Sequence, residues 1–195
     1  MLFRSGDLVD TVRRVVTWED WGREWMATAA VHEGLAEDAE DAGNTRTASV
    51  EWETAARCHH LAYFLTTHDP DLHDEGLRSM VRCHERSLVG ASPAVEKVEI
   101  PGPDGITMLG LLSSPSPDAP VAIVLPGLDS TKETRHGSRG GWMARGMAVL
   151  SLDGPGQGEV SQWSTARPDY EVAIDRKSTR LNSSHSQQSR MPSSA

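Results

Sequence analysis

Cysteine is scarce: Cys58 and Cys83 are the only two in 195 residues, which excludes a disulfide framework as the source of stability. The opening segment lacks an unbroken apolar stretch, because Asp7, Asp10, Arg13 and Arg14 interrupt it. A secretory leader does not read that way, and two unpaired thiols in a reducing cytoplasm are the expectation. No window approaches the roughly 18 consecutive apolar residues of a membrane-spanning helix. Basic charge is also short, with 19 Lys and Arg against 28 Asp and Glu. Four of those basic groups and none of the acidic ones lie from Arg176 onward, so the body is more acidic than the total suggests. Nucleic acid and anionic membrane are poor partners for such a surface. What remains is a chain with 37% apolar residues and six tryptophans, enough for a real core in one large domain or two small ones.

Residues 1–92 carry helical periodicity. Leu8, Val12, Val15 and Val16 share a face, and Trp18, Trp21, Trp25 and Met26 recur at helical spacing after Thr17, with Asp20 completing a capping-box signature. Gly43-Asn44 ends this first helix. The second runs from Thr47 through Trp52, Ala55, Leu61 and Phe64 to Asp69-Pro70, where proline stops it. The third covers Leu72 to Leu88 and stops near Gly90. Three antiparallel helices with short connections make a small helical, cap-like domain. The tryptophan stripe reads as core or as a homodimer surface before it reads as a ligand cage.

From Val95 the period changes to alternation. Val95 to Ile100 and Ile106 to Leu111 read as an antiparallel hairpin around Pro101-Gly102-Pro103-Asp104-Gly105. Two short apolar runs then break into glycine-bearing loops, Val121 to Leu125 before Pro126-Gly127-Leu128-Asp129-Ser130, and Met147 to Leu152 before Asp153-Gly154-Pro155-Gly156-Gln157-Gly158. With a segment of helical length between them, they form a strand, helix, strand crossover in a parallel sheet, and the first is expected to be buried on both faces. The fold class is α/β, a sheet preceded by an all-helical domain, with residues 1–92, 93–175 and 176–195 as helical domain, sheet domain and tail.

Function belongs at the loops that follow parallel strands. The Gly127 loop admits two readings: a tight turn, or a main chain kept bare so that the Leu128 N–H can approach a reacting oxygen. The glycines after Asp153 do not have dinucleotide-fingerprint spacing, so they read as a sharp turn with Asp153 anchoring loop amides. Arg135, His136 and Ser138 read as a surface helix start, since Ser138 lacks the flanking glycines of a nucleophile elbow. Cys58-His59-His60 and Cys83-His84-Glu85 hold metal-ligand types, but neighbours on a helix diverge by about 100°. Each cluster can aim one side chain at a common ion, and no metal or other cofactor is expected.

Taken together, WEDWGREW (Trp18 to Trp25), the segment from Ala29 to Phe64, LPGLDSTKE and LDGPGQGE resemble the α/β-hydrolase group of dihydropseudooxynicotine hydrolase and the fermentation-respiration-switch esterases. The resemblance covers residues 8 to about 175. It implies a helical region packed over a hydrolase sheet and a Ser-Asp/Glu-His triad acting on esters, or on carbon–carbon bonds beside carbonyls, in a small-molecule substrate. Residue by residue it implies that Gly127 and Leu128 form the oxyanion loop, Ser130 to Glu133 its supporting helix start, and Asp153 to Glu159 the loop after the fourth strand. His60 and Phe64, one helical turn apart, are candidate substrate-binding residues under the cap.

The triad does not carry over. In this group the G-x-S-x-G elbow lies beyond Tyr170-Glu171, and no such pentapeptide occurs here. Residues 176–195 hold seven serines and resemble translated adapter sequence at the end of a truncated gene. The expectation is a hydrolase fragment that is inactive alone, with an open apolar strand edge that favours aggregation. The competing expectation is a tetratricopeptide-like binding module in residues 47–90.

Overall fold

The computed structural model describes residues 5–174, so the reading of residues 176–195 lies outside the described residues. The chain divides into two compact units between Gly90 and Ala91.

The first unit contains four helices: α1 (Ser5–Arg14), α2 (Asp20–Asp41), α3 (Thr45–Phe64) and α4 (Pro70–Ser87). The expected single helix through Trp25 is in fact two. The break falls at Thr17, where the Asp20 carboxylate accepts the Thr17 N–H at 2.8 Å and the Val16 N–H at 3.2 Å. A side chain that satisfies amides at a helix start also stops the preceding helix from running through. Helix α1 is held to α2 by the Thr11 and Thr28 hydroxyls at 2.6 Å and by Arg14 on Glu24 at 2.5 Å. Asp69-Pro70 does double duty. Helix α3 ends before it, and it opens α4, with Pro70 in the first turn and the Asp69 carboxylate accepting the Leu72 N–H.

Trp25 and Trp52 are fully buried; each removes enough apolar area from water to contribute roughly 4–6 kcal/mol before entropy is counted. Ala36, Ala39, Ala48, Ala55 and Ala56 surround Trp52 and let the helices close on it. The Trp52 indole N–H donates to Glu40 at 2.7 Å, and the Arg86 guanidinium sits 4.0 Å over the ring. Gly76 is required by close approach, since a Cβ there would lie 2.8 Å from Tyr63 Cβ. Trp18 is 56% exposed and stacks on Trp21, so the tryptophan stripe runs from surface to core.

The second unit is a mixed four-stranded sheet in the order β1-β2-β4-β3, built from β1 (Val95–Pro101), β2 (Thr107–Ser113), β3 (Val121–Val124) and β4 (Ala148–Asp153). The hairpin β1–β2 is antiparallel with Ile100 opposite Met108, and it turns through Asp104 and Gly105 at positive φ. β2 pairs antiparallel with β4, and β3 pairs parallel with β4. The crossover is not one helix but two short ones, α5 (Lys132–His136) and α6 (Arg139–Met143). The expected two-sided burial belongs to β4, which is buried at every position, whereas β3 is half-buried throughout. Among the described residues β4 has a strand on each side and β3 has β4 alone, which accounts for the difference. No helix among the described residues is long and apolar enough to cross a membrane.

Candidate functional site

The loop after β3 is held at the Gly127 and Ser130 amides and at two carbonyls. The Gly127 N–H donates to the Ser130 hydroxyl at 2.7 Å. The carbonyls of Pro126 and Gly127 each accept from the Gln157 side-chain amide at 3.2 Å, tying this loop to the one after β4. The Leu128 N–H makes no hydrogen bond among the described residues, and its side chain is fully exposed. Gly127 is not at positive φ, and a Cβ there would meet only ordinary contacts of 3.7 Å or more. The turn itself therefore does not demand glycine.

Asp153, expected to anchor loop amides, holds one backbone amide, that of Lys132. Its Oδ1 accepts the Lys132 backbone N–H at 2.7 Å at the start of α5, and its Oδ2 accepts from Lys132 Nζ at 3.1 Å. The same ammonium reaches Glu133 and Glu159, each at 2.6 Å. One buried cation thus serves three carboxylates from α5, β4 and the turn at Gly158–Gln162. Burial opposes the Lys132 charge, but Glu133, Asp153 and Glu159 outweigh it and hold the ammonium above the usual lysine range. Burial pushes the Asp153 carboxyl up against the pull of Lys132. Gly158, at positive φ, leaves room for the Asp153 carboxylate, which any Cβ would strike.

His136 is not at the surface. It is fully buried and shares a hydrogen bond with the Ser113 hydroxyl of β2 at 2.9 Å. Lys132, Glu133 and His136 form one face of α5, and that polar face turns inward. Ser138 is exposed, with its hydroxyl bonded to the Arg135 carbonyl.

His60 and Phe64 lie in the helical unit, half-buried and stacked with ring centroids 5.6 Å apart and planes 9° from parallel. They form a flat aromatic pair on α3. In the same unit Glu33, His59 and Cys83 converge from α2, α3 and α4. His59 Nε2 sits 2.6 Å from Glu33, whose other oxygen accepts from Arg82 at 2.8 Å. That is hydrogen-bond contact, shorter than the roughly 3.3 Å between ligand atoms around tetrahedral zinc. Burial pushes the Cys83 thiol up to about 12, which keeps it protonated.

Sequence reasoning passed over Gln157, Tyr170 and the Lys132 cluster. The alternating glycines 154, 156 and 158 were the available signal, since they leave space that the Tyr170 ring, the Thr165-Ala166 backbone and the Asp153 carboxylate occupy.

A mixed sheet whose parallel pair ends in two loops tied together by Gln157 is that of an α/β-hydrolase fold. The chain belongs to the esterase FrsA-like family, which it matches over residues 4–171. It is 33% identical to 2,6-dihydropseudooxynicotine hydrolase of Paenarthrobacter nicotinovorans over 80% of this chain and 41% of that protein. It is 28% identical to esterase FrsA of Shigella flexneri over 80% of this chain and 38% of that one. The crystal structure of a 2,6-dihydroxy-pseudo-oxynicotine hydrolase superposes with a TM-score of 0.72 at 31% identity, covering 89% of this chain and 49% of its own. The chain thus spans about two-fifths of the length of these curated relatives. The match takes in the helical unit together with the sheet, and nothing in it supports a tetratricopeptide-like module.

Proposed function

We propose that these residues supply the oxyanion-binding half of a serine hydrolase acting on an ester or on a carbon–carbon bond beside a carbonyl. The observation that carries this reading is the Gly127-Leu128 peptide, whose neighbouring amide and carbonyl groups are bonded inside the unit while the Leu128 N–H makes no hydrogen bond among the described residues. When a nucleophile adds to a carbonyl, negative charge develops on the oxygen, and a preorganised amide lowers that barrier; loss of one such donor costs on the order of 100-fold or more in rate. Family membership and the hydrolase and esterase names of the relatives support the reaction class. His60 and Phe64 would supply flat apolar contact to substrate.

On this reading the attacking serine belongs to a G-x-S-x-G elbow, a pentapeptide that these 195 residues do not contain. The chain alone is then inactive. The experiment reads the gene past the codon for Asp175 and assays both products on p-nitrophenyl acetate. The expected result is an elbow within several tens of codons, turnover by the longer product, and none above background by the 195-residue chain. Serine-dependent turnover by the shorter chain contradicts the proposal.

A further inference from the structure

We infer that Gln157 is a positioning residue that aims the Leu128 N–H, an inference that rests on the oxyanion reading of that amide. The Gly127 carbonyl and the Leu128 N–H belong to one planar trans peptide, so they point in opposite directions and fixing one fixes the other. Gln157 Nε2 fixes the carbonyl at 3.2 Å and takes the Pro126 carbonyl at the same distance. Both donors of the side-chain amide are thereby spent on consecutive carbonyls.

The orientation of the Gln157 amide is itself determined. Its Oε1 accepts from the Tyr170 hydroxyl and from the Gly154 N–H at 3.4 Å. Two donors on one side and two carbonyls on the other leave a single orientation that satisfies all four. Burial pushes the Tyr170 hydroxyl up to about 12, so it donates at neutral pH. Gly154 makes room for it, since a Cβ there would collide with the Tyr170 ring. The chain runs from Tyr170 through Gln157 to the Gly127-Leu128 peptide; the Ser130 hydroxyl secures the peptide before it, and the Ser130 N–H makes a longer second contact of 3.4 Å to the same Gly127 carbonyl. Lys132 and Asp153 hold the base of the loop but touch neither carbonyl.

The test has two arms. In the 195-residue chain, the residual dipolar coupling of the Leu128 N–H and the hydrogen-bond coupling from Gln157 Nε2 to the Gly127 carbonyl are measured by NMR, for the native chain, Gln157→Met and Gln157→Glu. Methionine fills the space without donating. Glutamate keeps the acceptor for Tyr170 and loses both donors, and it also serves if the methionine variant does not fold. The expected result is loss of the coupling and reorientation or exchange broadening of Leu128 with β3–β4 amides unchanged. An unmoved Leu128 N–H in a folded variant overturns the inference. In the longer gene product, Gln157→Met is expected to lower kcat about 10- to 100-fold with KM within about twofold. Unchanged kcat beside a reoriented amide overturns the oxyanion reading and leaves the aiming role standing, so the two failures are distinguishable.

Discussion

The Trp52 core of the helical unit and the cluster under the loops of the sheet unit bury opposite things. Around Trp52 the helices bury alanines, Leu77 and Met80, and its charged partners Glu40 and Arg86 stay at the rim. Under the loops of the sheet, Lys132, Asp153, Glu133 and His136 are themselves at or near zero exposure. A closed apolar core is tolerant of its exact residues and serves stability. A buried ion cluster is no cheaper than packed hydrocarbon, and here it holds the start of α5 through the Lys132 N–H.

That contrast can be broken at either end. Trp52→Ala should cost about 5 kcal/mol, at the top of the range for buried tryptophan, because the indole N–H bond to Glu40 goes with the ring. Denaturant unfolding followed separately in each unit should show the loss in the helices alone. Lys132→Met should cost about 3–5 kcal/mol in the sheet unit, since Asp153 and Glu133 lose their cation in a dry site. A loss under 1 kcal/mol would mean the carboxylates find water, and the contrast with the helical core would fail.

Acid should act on the helical unit through Glu53. Burial raises its carboxyl, but His84 at 3.0 Å and Arg57 outweigh that and set it at about 2, below its ordinary 4.5. A carboxylate with a depressed folded value contributes stability that is present above pH 4.5 and lost as pH falls toward about 2. The loss should be on the order of 2 kcal/mol for this partly solvated group, and Glu53→Gln should remove that pH dependence from the unfolding curve. Smallest of all, Ser113→Ala should cost about 1 kcal/mol by deleting the hydroxyl on His136; a surface histidine would give no effect.

The same contrast explains what could be read from the sequence. The strands of the hairpin, β4, and helices α2 to α4 follow from hydrophobic period, because each turns an apolar face inward. The break at Thr17 was visible as a capping signature, yet not as the end of a separate α1. Helix α5 defeats the rule, since its inward face is Lys132, Glu133 and His136 and polarity reads as exposure. The carboxylates that make this possible, Asp153 and Glu159, arrive from more than twenty residues away. At the site, Gly127 and Leu128 were legible as a glycine loop after an apolar run. Gln157 and Tyr170 were not, because what they hold is set by how two loops meet and by no local pattern.

The decisive measurement is a crystal structure of the longer gene product inhibited by a p-nitrophenyl phosphonate ester, whose phosphoryl oxygen stands where a reacting carbonyl oxygen would carry its charge. The account predicts the Leu128 amide nitrogen at about 2.7–3.1 Å from that oxygen, with Gln157 still holding the Gly127 carbonyl. A phosphoryl oxygen bound by other donors, with the Leu128 N–H turned to solvent, would contradict it.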